Sequence, residues 1–368
     1  MRILHLISSG GFYGAERVIV TLASKLNQIG HQTCIGVFHN FRHPNTEIAD
    51  EAKVRNLPVQ LIPCDGRLDC GAVRTLRALL EKVAPEMLHT HGYKADVYGY
   101  LATRDSNITR ISTCHTWHDN DLKDYLYGVL DRTVLRRFKM TVAVSEAVAK
   151  RLRDAGVAAA SIRIITNGID VEEFSRGQPS LCADLRPNER LVGLVGRLAP
   201  EKGIQYFLEA VPIVLRSYPE VRFVVIGDGP ERQNLARTAR ALGIEETVRF
   251  AGKLQVMPGV YASLDILVSS SLWEGLPMTI LEALAAAIPV IATAVGAVPM
   301  VVLHEQTGLL VPAADAKALA GGIIRLLQDC ELRERLADQG NQLVRQQFSA
   351  ETMTTQYLRL YNELRAAG

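Results

Sequence analysis

The chain has 368 residues, enough for roughly two domains that can each bury a core. Apolar residues make up 48% and charged residues 22%, and 41 Lys and Arg against 39 Asp and Glu leave a formal net charge of +2. That is the balance of an ordinary globular protein, and it argues against a chain that coats nucleic acid by bulk charge. The cysteines (34, 64, 70, 114, 182 and 330) form no C-x-x-C pair. Neither a disulfide scaffold nor a cysteine-based zinc site is expected, and a reducing, cytoplasmic setting is the natural reading.

Met1 to Ile7 is apolar but short, and Ser8-Ser9-Gly10-Gly11 stops it, so it reads as a first strand and not a signal peptide. Short apolar runs at Arg2–Ile7, Gln32–Phe38, Met87–His91, Arg110–Cys114 and Met140–Val144 then alternate with amphipathic runs at Ala15–Ile29, Ala72–Val83 and Glu146–Ala155. This β-α alternation predicts a parallel sheet with helices on both faces. Around Leu181–Arg190 the pattern turns polar, and a second series begins. Its strands are expected at Leu191–Gly196, Arg222–Ile226, Val248–Phe250, Ile266–Ser269, Pro289–Ala294 and Gly308–Val311. Its helices are expected at Ile204–Ser217, Glu231–Leu242, Thr279–Ala287 and Ala316–Gln328, with a further helical period from Phe348 to Leu364. The fold class is α/β, with two Rossmann-like domains facing a cleft, one over 1–170 and one over 186–347. Ala283 to Leu303 carries no charge and is long enough to span a bilayer, but Pro289, Gly296 and Pro299 interrupt it. A helix end, a buried strand and a loop are expected there.

Ligands in such sheets sit beyond the carboxyl ends of the strands. Ser9-Gly10-Gly11-Phe12-Tyr13-Gly14 approximates a dinucleotide fingerprint, with Ser9 in place of its first glycine. The ribose-binding carboxylate expected about 20 residues on is missing, since no Asp or Glu lies between Arg17 and Thr46. A nicotinamide cofactor is not expected. The loop is either a packing turn or a place where backbone N–H groups approach an anion or a sugar hydroxyl.

Two segments of the second half carry more chemistry. In Gly196-Arg197-Leu198-Ala199-Pro200-Glu201-Lys202-Gly203, two cations follow a buried strand where the next helix starts. Such a place disfavours cations unless an anion is present, so a diphosphate is one reading; surface pairing with Glu201 or Glu231 is the other. In Trp273-Glu274-Gly275-Leu276-Pro277-Met278-Thr279-Ile280-Leu281-Glu282-Ala283, a loop opens a helix. The N–H groups of Met278 and Thr279 would face a ligand, and the two carboxylates suit a hydroxyl-rich one.

Glu274 and Glu282 at this spacing, with Arg197 and Lys202, resemble the E-x7-E motif and the Arg/Lys pair of family 4 retaining glycosyltransferases of the GT-B fold. The likeness extends over nearly the whole chain. It takes in Gly10-Gly11, Thr90-His91-Gly92, Cys114-His115-Thr116, Val144-Ser145-Glu146, Asn167-Gly168-Ile169-Asp170 and Gly227-Asp228-Gly229-Pro230. The chain departs from the family pattern at Ile288 and Met300, which concerns details of the donor loop.

The resemblance implies that Arg197 and Lys202 bind the diphosphate of a nucleotide-sugar and Glu282 its ribose. Glu274 would hold donor-sugar hydroxyls, and Gly275, Leu276, Met278 and Thr279 would cradle sugar and phosphate. Gly10, Gly11, Gly196 and Gly227 would complete the donor site, His115 would lie at the reacting sugar, and His91 would face the acceptor. The C-terminal stretch, about 348–368, would cross back to the first domain. The expected reaction moves a hexose onto a glycan or lipid-linked acceptor in polysaccharide or glycolipid biosynthesis, with retention and with no metal or other cofactor. A GT-B epimerase and a non-catalytic nucleotide-sugar-binding partner of a glycan assembly complex are the alternatives.

Asp119-Asn120-Asp121 spells the D-x-D of a different transferase fold, and a solvated loop or acceptor contact is the preferred reading. Zinc on His115 with His118 or His91 is not expected, for lack of a Cys or carboxylate at ligand spacing. Asp228 is as much a turn residue as a ligand. Residues 122–139 alternate apolar and basic side chains. They form either a normal helix with a core face or a dock for peripheral contact with the inner membrane surface.

Overall fold

The computed structural model describes residues 1–41, 44–66, 69–115, 133–181, 186 and 189–367. They form two compact units, Met1–Gly168 with Ala350–Gly368, and Ile169–Ser349. Residues 171–181, left between the two domains in the sequence reading, fall in the second unit, as do Ile169 and Asp170, which that reading gave to the first.

In the first unit the strands are β1 (Arg2–Ile7), β2 (Gln32–His39), β3 (Val59–Pro63), β4 (Met87–His91), β5 (Thr109–Cys114), β6 (Met140–Ala143) and β7 (Ile162–Ile164). Among the described residues they make one parallel sheet in the order β3-β2-β1-β4-β5-β6-β7. Successive side chains alternate between its faces. Leu4, Leu6 and Leu88 pack with Leu76 and Leu79 of the helix Cys70–Val83 and with Tyr98 of the helix Tyr93–Thr103. Ile7, Ile35 and Val37 pack on the other side, with Ile19, Val20 and Ala23 of the helix Gly14–Gln28. Asp69 starts the helix Cys70–Val83 by accepting from the N–H groups of Gly71 and Ala72 at 2.8 and 3.2 Å.

The second unit has β8 (Leu191–Val195), β9 (Arg222–Ile226), β10 (Val248–Gly252), β11 (Ile266–Ser269), β12 (Val290–Thr293) and β13 (Leu309–Val311), all parallel, in the order β10-β9-β8-β11-β12-β13. The helices Ile204–Leu215 and Ala316–Gln328 cover one face, and Phe207, Leu208, Val211, Ile323 and Leu326 fill the space against Val192, Leu194 and Val225. Asp315 and Asp329 cap successive helices, accepting from Ala318 N at 2.9 Å and Leu332 N at 2.8 Å.

In both sheets the order reverses between the first and fourth strands, and such switch points are where α/β sheets hold ligands. They lie between β1 and β4, and between β8 and β11. The uncharged stretch 283–303 resolves into the end of the helix Met278–Ala285, buried β12, and the short helix Val298–Val301. No helix among the described residues is long and apolar enough to cross a membrane.

Phe207 and Phe223 meet edge to face with centroids 5.9 Å apart, and Phe207 is fully buried. Phe207→Ala should destabilise the second unit by about 3–5 kcal/mol. A chemical-denaturation midpoint that barely moves would show that this core is not the one holding the unit together.

Candidate active site

In the second unit, two glycines are fixed by backbone contact at the β8 end. Gly196 N donates to Ile226 O at 2.9 Å, and a Cβ on Gly227, whose φ is +134°, would fall 1.9 Å from Gly196 O. A side chain at Gly227 would thus force the β8 and β9 loops apart. Leu198 N donates to Asp228 O at 3.0 Å, and Glu231 N donates to Leu198 O at 2.9 Å. Asp228 itself accepts from Gly229 N at 2.8 Å, the arrangement of a turn residue.

Arg197 is exposed, whereas Lys202 is drawn inward at the end of the short 3-10 turn Pro200–Lys202. Lys202 Nζ lies 2.5 Å from Glu274 Oε1, and Ser271 Oγ donates to the same oxygen at 2.6 Å. Lys202 therefore pairs with the first glutamate of the E-x7-E motif, not with Glu201 or Glu231. Glu274 is buried, so this cation and hydroxyl supply what water would otherwise give its carboxylate.

The loops around the pair are stitched by main chain. Ser270 Oγ donates to Lys202 O at 3.0 Å, Leu272 N to Glu201 O at 2.8 Å, and Thr293 Oγ1 to Ser271 O at 2.5 Å. Gly296, at φ +53°, passes so close that a Cβ would sit 1.8 Å from Glu274 O.

Gly275 and Leu276 continue this loop into the helix Met278–Ala285. Its cap residue is Pro277, and no side chain caps its N-terminus. The Met278 and Thr279 amides thus open the helix without a side-chain acceptor at the cap, an electropositive end. Glu282 lies on this helix and is buried, and Tyr261 OH donates to its Oε2 at 2.6 Å. The sequence reading missed Tyr261: a tyrosine on a five-residue helix, Met257–Tyr261, has no motif around it.

In the first unit, the Gly10-Gly11 loop is held by a residue that the sequence reading also missed. Glu16 accepts from Ser9 Oγ at 3.0 Å and from Tyr13 N at 3.1 Å. Its carboxylate is buried, and desolvation raises its pKa above the ordinary value. The signal was present as an acidic residue in the first turn of a helix.

His91 and His115 join a row of imidazoles. His5 and His89 face each other across β1 and β4, and His91 lies two residues further along β4. His5 Nδ1 is 3.2 Å from His91 Nε2, and His91 Nδ1 is 3.2 Å from His115 Nε2. His91 is buried and spends both ring nitrogens on its neighbours, so it links histidines where an acceptor contact was expected. His89 Nδ1 meets Tyr361 OH at 2.7 Å, His89 Nε2 meets Thr113 Oγ1 at 2.7 Å, and Thr113 meets Tyr357 OH at 3.0 Å. Both tyrosines come from the helix Ala350–Ala366, which belongs to this unit.

Burial lowers the pKa of His5 to about 3 and of His115 to about 4, and puts His89 and His91 well below their usual value. His5, His89 and His91 each bring one ring nitrogen within 4.8 Å of the others, a spacing that a metal ion could bridge. His89, however, already engages both nitrogens, with Tyr361 and Thr113. Asp119, Asp121, His118 and most of the 122–139 stretch lie outside the described residues.

Both units are parallel α/β sheets with a switch point, and together they define the GT-B class. The structure of Anabaena HepE with UDP and glucose superposes with a TM-score of 0.87 over 99% of this chain and 100% of that one, at 22% identity. Sucrose-phosphate synthase of Thermosynechococcus elongatus gives 0.84 over 100% of both, also at 22% identity.

Residues 183–343 match the family described as Glycosyl transferases group 1, and residues 12–173 match Glycosyltransferase Family 4. The chain belongs to this family of glycosyltransferases. Among curated relatives, the alpha-D-kanosaminyltransferase of Streptomyces kanamyceticus is 32% identical over 47% of this chain and 46% of its own length. The N-acetyl-alpha-D-glucosaminyl L-malate synthase of Bacillus anthracis is 26% identical over 76% of this chain and 75% of its own. The phosphatidyl-myo-inositol mannosyltransferase of Mycobacterium leprae is 27% identical over 77% and 75% respectively.

The histidine row makes stability depend on pH with a definite sign. The four folded-state pKa values are depressed below the free value near 6.5, so below that pH the unfolded chain binds protons that the folded chain refuses. Stability is complete above about pH 6.5 and is lost on acidification, by about 1.4 kcal/mol per pH unit for each histidine. Glu16, raised by burial, opposes this as one group against four. The melting temperature should fall between pH 7 and pH 5; a flat profile would mean that the histidines take up protons alike in the folded and unfolded chain.

Proposed function

We propose that this chain transfers a hexose from a nucleoside-diphosphate sugar to a glycan or lipid-linked acceptor, with retention of anomeric configuration and with fixed cations in place of a metal. The observation that carries this is the Lys202–Glu274–Ser271 cluster at the β8/β11 switch point, beside exposed Arg197 and the uncapped helix Met278–Ala285. It offers positive charge for a diphosphate and a buried carboxylate for sugar hydroxyls. UDP and glucose in the HepE structure, and the sugar-transferring names of the relatives, support the same donor class.

As the donor bond breaks, negative charge grows on the diphosphate. Arg197, Lys202 and the Met278 and Thr279 amides stabilise it from fixed positions, usually the largest single catalytic contribution. Glu274 holds donor-sugar hydroxyls, and Glu282, steadied by Tyr261, binds the ribose. The family pattern assigns His115 and the Gly10-Gly11 loop to the donor sugar. The acceptor hydroxyl attacks on the face from which the diphosphate leaves, and a phosphate oxygen takes its proton. The work is cytoplasmic in this reading. Peripheral contact with the membrane rests on the basic residues of 122–139.

Melting curves with UDP, GDP, ADP, CMP and NAD test the donor class, since a tight ligand stabilises the fold by a few kcal/mol. One nucleoside diphosphate should raise the melting temperature, and Arg197→Ala should abolish the shift and slow turnover on the order of a hundredfold. A shift with NAD alone would remove the basis of the transferase reading. A nucleotide shift with no turnover on any acceptor would favour the non-catalytic binding partner.

The ion pair yields a second expectation of opposite sign for binding and rate. Glu274→Gln frees Lys202 from its partner, so free nucleoside diphosphate should bind several-fold tighter while turnover falls about a hundredfold. Calorimetry against steady-state rates separates the two. Weaker nucleotide binding would show that Glu274 orients Lys202 and does not compete for it.

A further inference from the structure

The imidazole row leaves two nitrogens without a partner among the described residues. His5 Nε2 and His115 Nδ1 are buried and make no hydrogen bond. They are the two ends of one chain, His5 Nδ1 to His91 Nε2 and His91 Nδ1 to His115 Nε2, each link 3.2 Å long. The His5 and His91 rings stack 5.5 Å apart at 27°, and His91 and His115 do so at 5.4 Å and 27°.

A neutral imidazole carries one N–H, and each link needs one. Only two proton arrangements satisfy both links. In the first, His5 donates to His91 and His91 donates to His115, so His115 carries its proton on Nδ1. In the second every proton runs the other way, and His5 carries an N–H on its buried Nε2. If both outer rings donated, His91 would have to be an imidazolate. If His91 donated to both, it would have to be a cation in a buried site with no facing carboxylate among the described residues. In the protein alone each arrangement leaves one buried N–H and one buried acceptor unmet, at opposite ends of the row. An oxygen of a ligand bound at His115 meets the unmet N–H of the first arrangement, whereas in the second the unmet N–H is on fully buried His5. Orphaned buried N–H groups are the rarer defect, so a ligand at His115 selects the first.

We propose that His5 and His91 are positioning residues that set the tautomer of His115, which thereby presents an Nδ1–H donor to an oxygen of the bound donor sugar and does not act as a base. This rests on the reading of His115 as a donor-sugar contact given above. It extends that reading to a residue in the middle of β1 that touches no substrate. It also gives a role to a polar side chain that alternates with Leu4 and Leu6 where an apolar one would pack.

The first test is nitrogen NMR of the full-length protein labelled with 15N-histidine, which distinguishes protonated from bare ring nitrogens. His115 should be protonated on Nδ1 and bare on Nε2. The opposite tautomer overturns the proposal, as does stoichiometric zinc retained by the purified protein, which would give the row to a metal. The second test compares His5→Asn, whose amide N–H can take the place of Nδ1–H, with His5→Leu, which has no donor. His5→Leu should lower the rate of UDP-glucose turnover about tenfold at unchanged KM, less than the loss expected for removing a donor outright. It should also mix the His115 tautomers, and His5→Asn should restore both. Equal losses in the two variants with an unchanged His115 spectrum would overturn the proposal. If His5→Leu does not fold, the wild-type and His5→Asn spectra still decide it. If the wild type does not turn over UDP-glucose, that donor assignment fails, and the NMR result stands separately.

Discussion

The Glu274 carboxylate sits where water cannot solvate it, and the loops of the second unit are arranged around that constraint. A buried carboxylate needs a compensating charge and hydrogen bonds, or it takes up a proton. Lys202 arrives from the β8 loop and Ser271 from the β11 loop. The β12 loop closes the arrangement through Gly296, which can come that near only because it lacks a side chain. The β8 and β11 loops thus meet at one carboxylate oxygen, and the β12 loop lies against the main-chain carbonyl of the same residue. A diphosphate entering this site would meet a lysine whose charge is already shared, so binding is an exchange of anionic partners.

The first unit solves a different problem. Four histidines, with no carboxylate facing them among the described residues, are kept neutral by burial, and Tyr361 and Thr113, the latter bonded in turn to Tyr357, satisfy the ring that lies off the main row. Neutral rings in contact must agree on where their protons sit. A row of them is therefore a more exacting structure than its hydrogen-bond distances suggest.

Much of this was legible in the sequence. Long apolar runs such as Leu191–Val195 and Ile266–Ser269 are buried on both faces, and their pattern is nearly independent of context. The Arg197/Lys202 and Glu274/Glu282 spacings put Arg197, Lys202 and Glu274 after their strands and Glu282 on the following helix, where the structure has them. Strands β3 and β7 escaped because Val-Gln-Leu-Ile-Pro and Ile-Arg-Ile are short and only partly buried, so their periodicity is weak. Tyr261 and the His5–His91 link escaped for another reason. Each works through a partner distant in sequence, 21 residues for Tyr261 and Glu282 and 86 for His5 and His91, and no local pattern encodes such a pairing.

The helix Ala350–Ala366 has a consequence for how the molecule is made. It supplies Tyr357 and Tyr361 to a sheet whose strands all precede Gly168, with the whole second unit intervening in the chain. On the ribosome, the strand carrying His5 emerges before the second unit, yet its own unit is completed only after that one. Until those tyrosines are synthesised, His89 lacks Tyr361 for its Nδ1 and Thr113 lacks Tyr357. The second unit can finish as a continuous insert while the first waits, half-built, for the helix Ala350–Ala366.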